Sequence, residues 1–223
     1  LVDRDLLHNL RSIEQRGAEH ITAAVTEGLM EQGVDVYDLG LRGTEEIYFA
    51  TSHAAMGGGI AVTASHNPKD YNGMKFVRED SRPISADTGL KEIRAMAEEN
   101  AFQAAPTRGQ LYTLDTDAAY VEHLLSYVDV DALKPLKVVV DAGNGGAGRV
   151  IDLLEPHLPF DFIKLHHEPD GNFPNGVPNP LLPENRAARI EAVRQHNADL
   201  GIAWDGDLDR CFFFDETGAF IEG

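Results

Sequence analysis

The sequence predicts an α/β protein with largely parallel sheets, built as two domains. Three observations predict it. Short apolar runs alternate with stretches of helical period along the chain, the alternation lapses once near the middle, and 223 residues suffice for two cores at about 100 to 200 residues per domain.

The elements follow in order. Ile21, Val25 and Leu29 recur every fourth residue and Gly33 supplies a stop, so a helix is expected over about 18 to 32. Val34, Val36, Tyr37 and Leu39 read as a short strand. Thr44 is a suitable N-cap with Glu45 and Glu46 in the first turn, which starts a helix running to about His53. Gly57-Gly58-Gly59 breaks it, and Ile60 to Thr63 reads as a buried strand. A polar loop from Ala64 to Asn72 leads to a strand at Met74 to Val77, and Leu90, Ile93 and Ala97 mark a helix ending near Asn100. Between Ala101 and Asp115 the periodicity fails and Pro106, Gly109 and Thr113 cluster, so the domains are divided as 1–110 and 111–223.

The alternation then resumes. A helix is expected near 116 to 126, a strand at Lys137 to Val140, a helix near 147 to 155 and a strand at Asp161 to Leu165. Five prolines and two glycines make Glu168 to Pro183 a long loop. Ile190 and Val193 lie in the next helix, and strands follow at Leu200 to Trp204 and Cys211 to Phe214.

Composition narrows the function. Thirty-seven acidic residues against 19 basic give a net charge of −18, and the pI is near 4.7. Such a field repels nucleic acid and anionic membranes at long range, so neither is an expected partner. A small anionic substrate stays possible, because a few local cations or a metal override the global field. The single Cys211 excludes an internal disulfide and a cysteine-built zinc site, which fits a reducing, cytoplasmic compartment. No apolar run reaches the roughly 18 residues of a membrane span. The chain opens on Leu1 without Met, so its true beginning is expected to lie upstream.

Four segments carry possible chemistry. Asp205-Gly206-Asp207-Leu208-Asp209-Arg210 follows an apolar strand, at the carboxyl end where α/β sheets place ligands. Carboxylates at alternate positions in a tight loop can converge on one hard cation, and oxygen-only donors suit Mg²⁺ or Ca²⁺. A solvated acidic turn is the plain alternative. An EF-hand is excluded, since Arg210 occupies the glycine position and strand follows where that loop needs helical flanks. An aspartate-nucleophile phosphatase using Asp205 remains open. Thr63-Ala64-Ser65-His66-Asn67-Pro68 also follows a buried strand and would expose Ser65, although taken alone the segment reads better as a plain turn rich in Ser and Asn. In Tyr71-Asn72-Gly73-Met74-Lys75, the Asn-Gly pair signals a turn and Lys75 begins a strand. Gly143-Asn144-Gly145-Gly146-Ala147-Gly148 matches G-x-G-x-x-G between strand and helix, but no acidic residue ends the following strand to hold a ribose. Tight packing explains those glycines better than a nucleotide does, and a nucleotide-binding module stays as an alternative.

The joint occurrence, in this order, of Thr-Ala-Ser-His-Asn-Pro at 63–68, Asn72-Gly73 with Lys75, and Asp-Gly-Asp-Leu-Asp-Arg at 205–210 resembles the α-D-phosphohexomutase family. Gly43 to Ala50, Pro169 to Pro174 and Pro178-Asn179-Pro180 sharpen the match, most closely to the bacterial branch that acts on mannose phosphates and feeds GDP-mannose synthesis. The resemblance runs from about Ala18 to Gly223. It implies two consecutive three-layer α/β/α domains with mixed, largely parallel sheets, the N-terminal half of a four-domain phosphohexomutase. It further implies that Ser65 carries the phosphoryl group and that Asp205, Asp207 and Asp209 bind Mg²⁺ together with a phosphate oxygen of phospho-Ser65. Arg210 then steadies the phosphoserine, Lys75 transfers a proton, and His66 neighbours them in the active-site loop. The substrate implied is a phosphosugar. Two departures stand against the pattern: an early strand with a Gly-Asp-x-Arg loop is not found in Leu1 to Gly17, and the third and fourth domains have no counterpart.

Overall fold

The structure, a computed structural model, describes residues 7–11, 18–67, 71–99, 102 and 105–222. They divide into two units. Residues 64–67 and 71 group with the second unit although strands of the first flank them, and the second unit otherwise begins at Asp117.

The first unit holds strands β1 (Leu7–Arg11), β2 (Val36–Leu41), β3 (Gly58–Val62), β4 (Met74–Arg78) and β5 (Leu111–Thr113), with helices α1 (Ala18–Glu31), α2 (Thr44–His53) and α3 (Lys91–Glu99). Its sheet order is β4-β3-β1-β2-β5, parallel except for β4, which runs antiparallel to β3. Strand alternation sorts the core into two faces. Ile60 and Val62 pack with Ala18, Ile21, Val25 and Leu29 of α1, while Ala61 and Leu39 pack with Ile47 and Ala50 of α2. Helices therefore cover both faces, as the burial of every residue of β3 requires.

The second unit repeats the plan with α4 (Asp117–Leu125), β6 (Lys137–Asp141), α5 (Ala147–Leu154), β7 (Asp161–Leu165), α6 (Ala187–His196), β8 (Leu200–Trp204), β9 (Cys211–Phe214) and β10 (Phe220–Ile221). Its order is β10-β9-β8-β6-β7, with β6 parallel to both β7 and β8, and β9 and β10 antiparallel to their neighbours. Val138 and Val140 face α5, and Val139 faces Ala192 and Val193 of α6. Both units are α/β/α layers around mixed, largely parallel sheets.

Four expectations change. A strand does precede α1: β1 lies at the centre of its sheet, paired with β2 and β3. Its sequence, Leu-His-Asn-Leu-Arg, has apolar residues three apart and so lacks the strand period; backbone pairing on both sides defines it instead. Residues 12–17, where a loop after that strand would fall, lie outside the described residues, as does Pro68. The division at residue 110 also moves, because β5 pairs with β2 and the first unit continues through Thr116. Thr44 is the first residue of α2 rather than its cap. Gly43 occupies the cap, and its N–H donates to Glu46 Oε2 at 2.8 Å, the half of a capping box that needs no side chain at the cap. The short β10 has no signal in its two residues and forms by pairing with β9.

Candidate functional site

The site is built on the turn between β8 and β9. Asp205 N–H donates to Arg210 O at 3.2 Å and Leu208 N–H to Asp205 O at 3.3 Å, closing a six-residue turn. Leu208 is held at a φ of 70°, a left-handed conformation that a bulky side chain adopts only under constraint. Asp205 and Asp207 are buried and Asp209 is exposed, yet each brings a carboxylate oxygen within 4.8 Å of the others. Burial, and then the neighbouring Asp207 charge, push the Asp205 carboxyl up to about 6, against the opposing pull of Arg210. Arg210 answers part of this negative charge: its Nε lies 2.8 Å and its Nη2 2.6 Å from Asp205 Oδ2, and its N–H donates to Asp205 Oδ1 at 3.1 Å. One guanidinium does not neutralise three carboxylates. The all-oxygen donor set and its spacing fit a hard divalent cation such as Mg²⁺.

Ser65 meets this turn across a sequence separation of 140 residues. Its Oγ donates to Asp205 Oδ2 at 3.2 Å, accepts from Arg210 Nη2 at 3.3 Å and lies 3.2 Å from His66 Nδ1. His66 Nδ1 is also hydrogen bonded to Arg210 Nη2. Asn67 shapes the loop locally, since both its N–H and its Nδ2 donate to Ala64 O. Ser65 itself sits at a φ of 57°, so strained backbone occurs in both segments that meet here. Ser65, His66, Asp205, Asp207, Asp209 and Arg210 all belong to the second unit. Lys75 belongs to the first, where it pairs with Ala61 in the β3–β4 register and its Nζ donates to Thr44 Oγ1 at 3.3 Å.

The glycine-rich segment between β6 and α5 takes the packing role. Gly143 N–H donates to Asp141 Oδ1, Asn144 N–H to His166 O, Gly145 N–H to Ala142 O and Gly146 N–H to Gly206 O. Those four amides are the donors a nucleotide phosphate would need, and all are engaged within the protein. A Cβ on Gly148 would stand 2.2 Å from His167 O, so that glycine serves close packing of α5. Sequence reasoning passed over the group beneath this segment: Asp141, fully buried, is paired with Arg189 (2.7 Å) and contacts His166 Nδ1 (3.0 Å). The available signal was an aspartate ending an apolar strand directly before a glycine turn. A buried carboxylate there requires partners.

Comparison with known proteins gives a consistent result. Residues 15–104 match the family model for phosphoglucomutase/phosphomannomutase alpha/beta/alpha domain I, and residues 118–218 match that for alpha/beta/alpha domain II. A curated relative from Xanthomonas campestris pv. campestris, named "Phosphohexose mutases", is 63% identical over 201 residues, 90% of this chain and 45% of its own. A phosphomannomutase of Vibrio cholerae is 56% identical over 211 residues, 92% of this chain and 46% of its own. The crystal structure of a phosphoglucomutase/phosphomannomutase family protein from Burkholderia thailandensis superposes with a TM-score of 0.88 at 32% identity, over 97% of this chain and 48% of that one. The chain thus spans about half the length of the relatives it matches.

Proposed function

The chain belongs to the phosphoglucomutase/phosphomannomutase family, and from that premise we propose that the whole protein interconverts mannose 6-phosphate and mannose 1-phosphate, with Ser65 carrying the phosphoryl group. The observation that carries the reading is the Ser65 hydroxyl, bonded at once to Asp205 and Arg210 beside the Asp205, Asp207 and Asp209 cluster. The mannose assignment leans on relatives named phosphomannomutase.

Phosphoryl transfer asks little covalent work of a protein, so positioning and charge neutralisation dominate. A phosphoserine carries about −1.5 to −2 charge, which three adjacent carboxylates would repel without a counter-charge. Asp205, Asp207 and Asp209 would hold Mg²⁺, and the chemistry such an ion would supply there is that counter-charge together with Lewis acidity toward the phosphoryl oxygens. Arg210 offers N–H donors to the same group and fixes its orientation through His66 and Asp205. A sugar hydroxyl would then attack phosphorus while Lys75 or a neighbour takes its proton, the Ser65 Oγ–P bond would break, and the freed Ser65 oxygen would take up that proton to restore the hydroxyl. The resulting sugar bisphosphate turns over and returns its other phosphate to Ser65. An aspartate nucleophile is disfavoured, because Asp205 is committed to Arg210 and Ser65.

Intact-protein mass spectrometry after treatment with a sugar bisphosphate tests the role of Ser65. One added phosphate, lost in Ser65→Ala, is expected; an unchanged wild-type mass sinks the proposal. The 223-residue chain by itself is not expected to sustain turnover in a coupled mutase assay with bisphosphate activator, since gripping phosphate at both ends of the sugar falls in this reading to further domains.

A further inference from the structure

We propose that the segment Asp141 to Gly146 is a positioning element for the Asp205–Arg210 turn, and that it acts through one backbone hydrogen bond, Gly146 N–H to Gly206 O. The inference rests on the reading of that turn as a divalent-cation site. The chain of contacts begins at Asp141, fully buried at the end of β6. Its Oδ1 accepts from Gly143 N–H at 2.7 Å and lies 3.0 Å from His166 Nδ1, and its Oδ2 lies 2.7 Å from Arg189 Nε. His166 in turn presents its carbonyl to Asn144 N–H at 2.7 Å. A single carboxylate thereby fixes Gly143 directly and Asn144 through His166.

Two further faces are closed by contact. A Cβ built on Gly143, whose φ is +58°, would stand 2.5 Å from Pro178 Cβ, so the proline-rich loop lies against one side. A Cβ on Gly145 would stand 2.6 Å from Gly206 O and 2.9 Å from Gly206 Cα, so the metal-binding turn lies against the other. At this contact Gly146 N–H donates to Gly206 O at 3.0 Å. The carbonyl of Gly206 and the nitrogen of Asp207 share one rigid peptide plane, so anchoring that oxygen sets the direction in which Asp207 leaves the turn. Asp207 is the central member of the carboxylate cluster. Outer partners of this kind orient metal ligands without touching the metal, and their loss weakens binding.

The backbone of Gly146 allows a selective test. Its φ of −72° is one proline adopts freely, and it immediately precedes α5, where proline is tolerated. Gly146→Pro therefore deletes the donor, and the ring Cδ that takes the place of that hydrogen displaces Gly206 O from the contact. Mn²⁺ binding to the 223-residue chain would be measured by calorimetry and by the electron paramagnetic resonance spectrum of the bound ion. The variants are Gly146→Pro, Asp141→Asn and the control Val25→Ala, which damages the α1-side core of the first unit instead of the core that holds the segment. Both segment variants are expected to bind Mn²⁺ about tenfold more weakly than wild type with an altered spectrum, and the control to bind as wild type does. If one segment variant does not fold, the other decides. Wild-type affinity in a folded segment variant overturns the positioning role alone, as does an equal loss in the control. No Mn²⁺ binding by wild type overturns the cation reading itself, and this inference with it.

Discussion

The two sheets carry the candidate site segments at the same point of the same plan. In the first sheet β3 lies beside β1 and turns back into antiparallel β4; in the second, β8 lies beside β6 and turns back into antiparallel β9. Ser65 and Lys75 belong to the first hairpin, and the three aspartates and Arg210 to the second. Both buried strands even carry the same tripeptide, Gly59-Ile60-Ala61 and Gly201-Ile202-Ala203, each with its glycine pressed against a helix. The hairpins differ in their turns. Six residues separate β8 from β9, and they are closed by their own backbone bonds and by Gly146 beneath them. Eleven separate β3 from β4, and there Ser65 takes its side-chain partners largely from the other turn. A short turn is rigid enough to hold repelling carboxylates together. A long one leaves Ser65 to be oriented by other residues.

That contrast can be broken at its strongest point first. Ser65→Ala should abolish phosphate uptake from a sugar bisphosphate altogether; phosphate appearing instead on Asp205, located by peptide mapping, would give the covalent role to the short turn. The next effect belongs to the ligands. In the unphosphorylated chain, Asp207→Asn should weaken Mn²⁺ binding by about 100-fold, at or beyond the upper end of what losing an outer-shell partner costs, while Ser65→Ala leaves calorimetric Mn²⁺ affinity near that of wild type. If the two variants weaken binding equally, the division of labour between the turns is wrong.

The shared tripeptide predicts smaller, graded losses of stability. A Cβ on Gly59 would meet Thr51 Oγ1 at 2.3 Å and Ile47 Cγ2 at 3.0 Å, whereas one on Gly201 would meet Val193 Cγ2 at 2.9 Å and Phe214 Cβ at 3.1 Å. Overpacking costs of about 1 to 3 kcal/mol apply, with Gly59→Ala at the upper end and Gly201→Ala at the lower. Urea unfolding of each variant gives the order, and a reversed order would mean that β8 is the tighter of the two. Least of all should change in Arg94→Ala. That side chain pairs with Glu98 on α3, a helix with no buried residue, and its removal should leave the unfolding midpoint where it was.

Much of this organisation is legible along the chain. The valines at 138–140 alternate between α5 and α6 because strand side chains alternate, so their burial could be read from pattern alone. Asp205, Asp207 and Asp209 fall on one turn because their spacing is local. What escaped has the opposite character. β1 has no strand period in its five residues, and β5 and β10 are two or three residues long; β1 and β5 exist through pairing with neighbours distant in sequence, and β10 only by turning back onto β9. The Asp141, His166 and Arg189 group was hidden for the same reason, since its members come from β6, the segment after β7 and α6.

The sequence by itself determined the alternation of strands and helices, the two long polar turns and which residue types occupy them, because these depend on neighbours within a few positions. Only the tertiary structure decided that Ser65 and Asp205, 140 residues apart, share a hydrogen bond. It also decided that a glycine segment resembling a nucleotide loop has its amides engaged, one of them on the Asp205–Arg210 turn. Both outcomes follow from the order in which strands pair and the depth at which charges are buried. Those are properties of distant segments meeting, which no local period encodes.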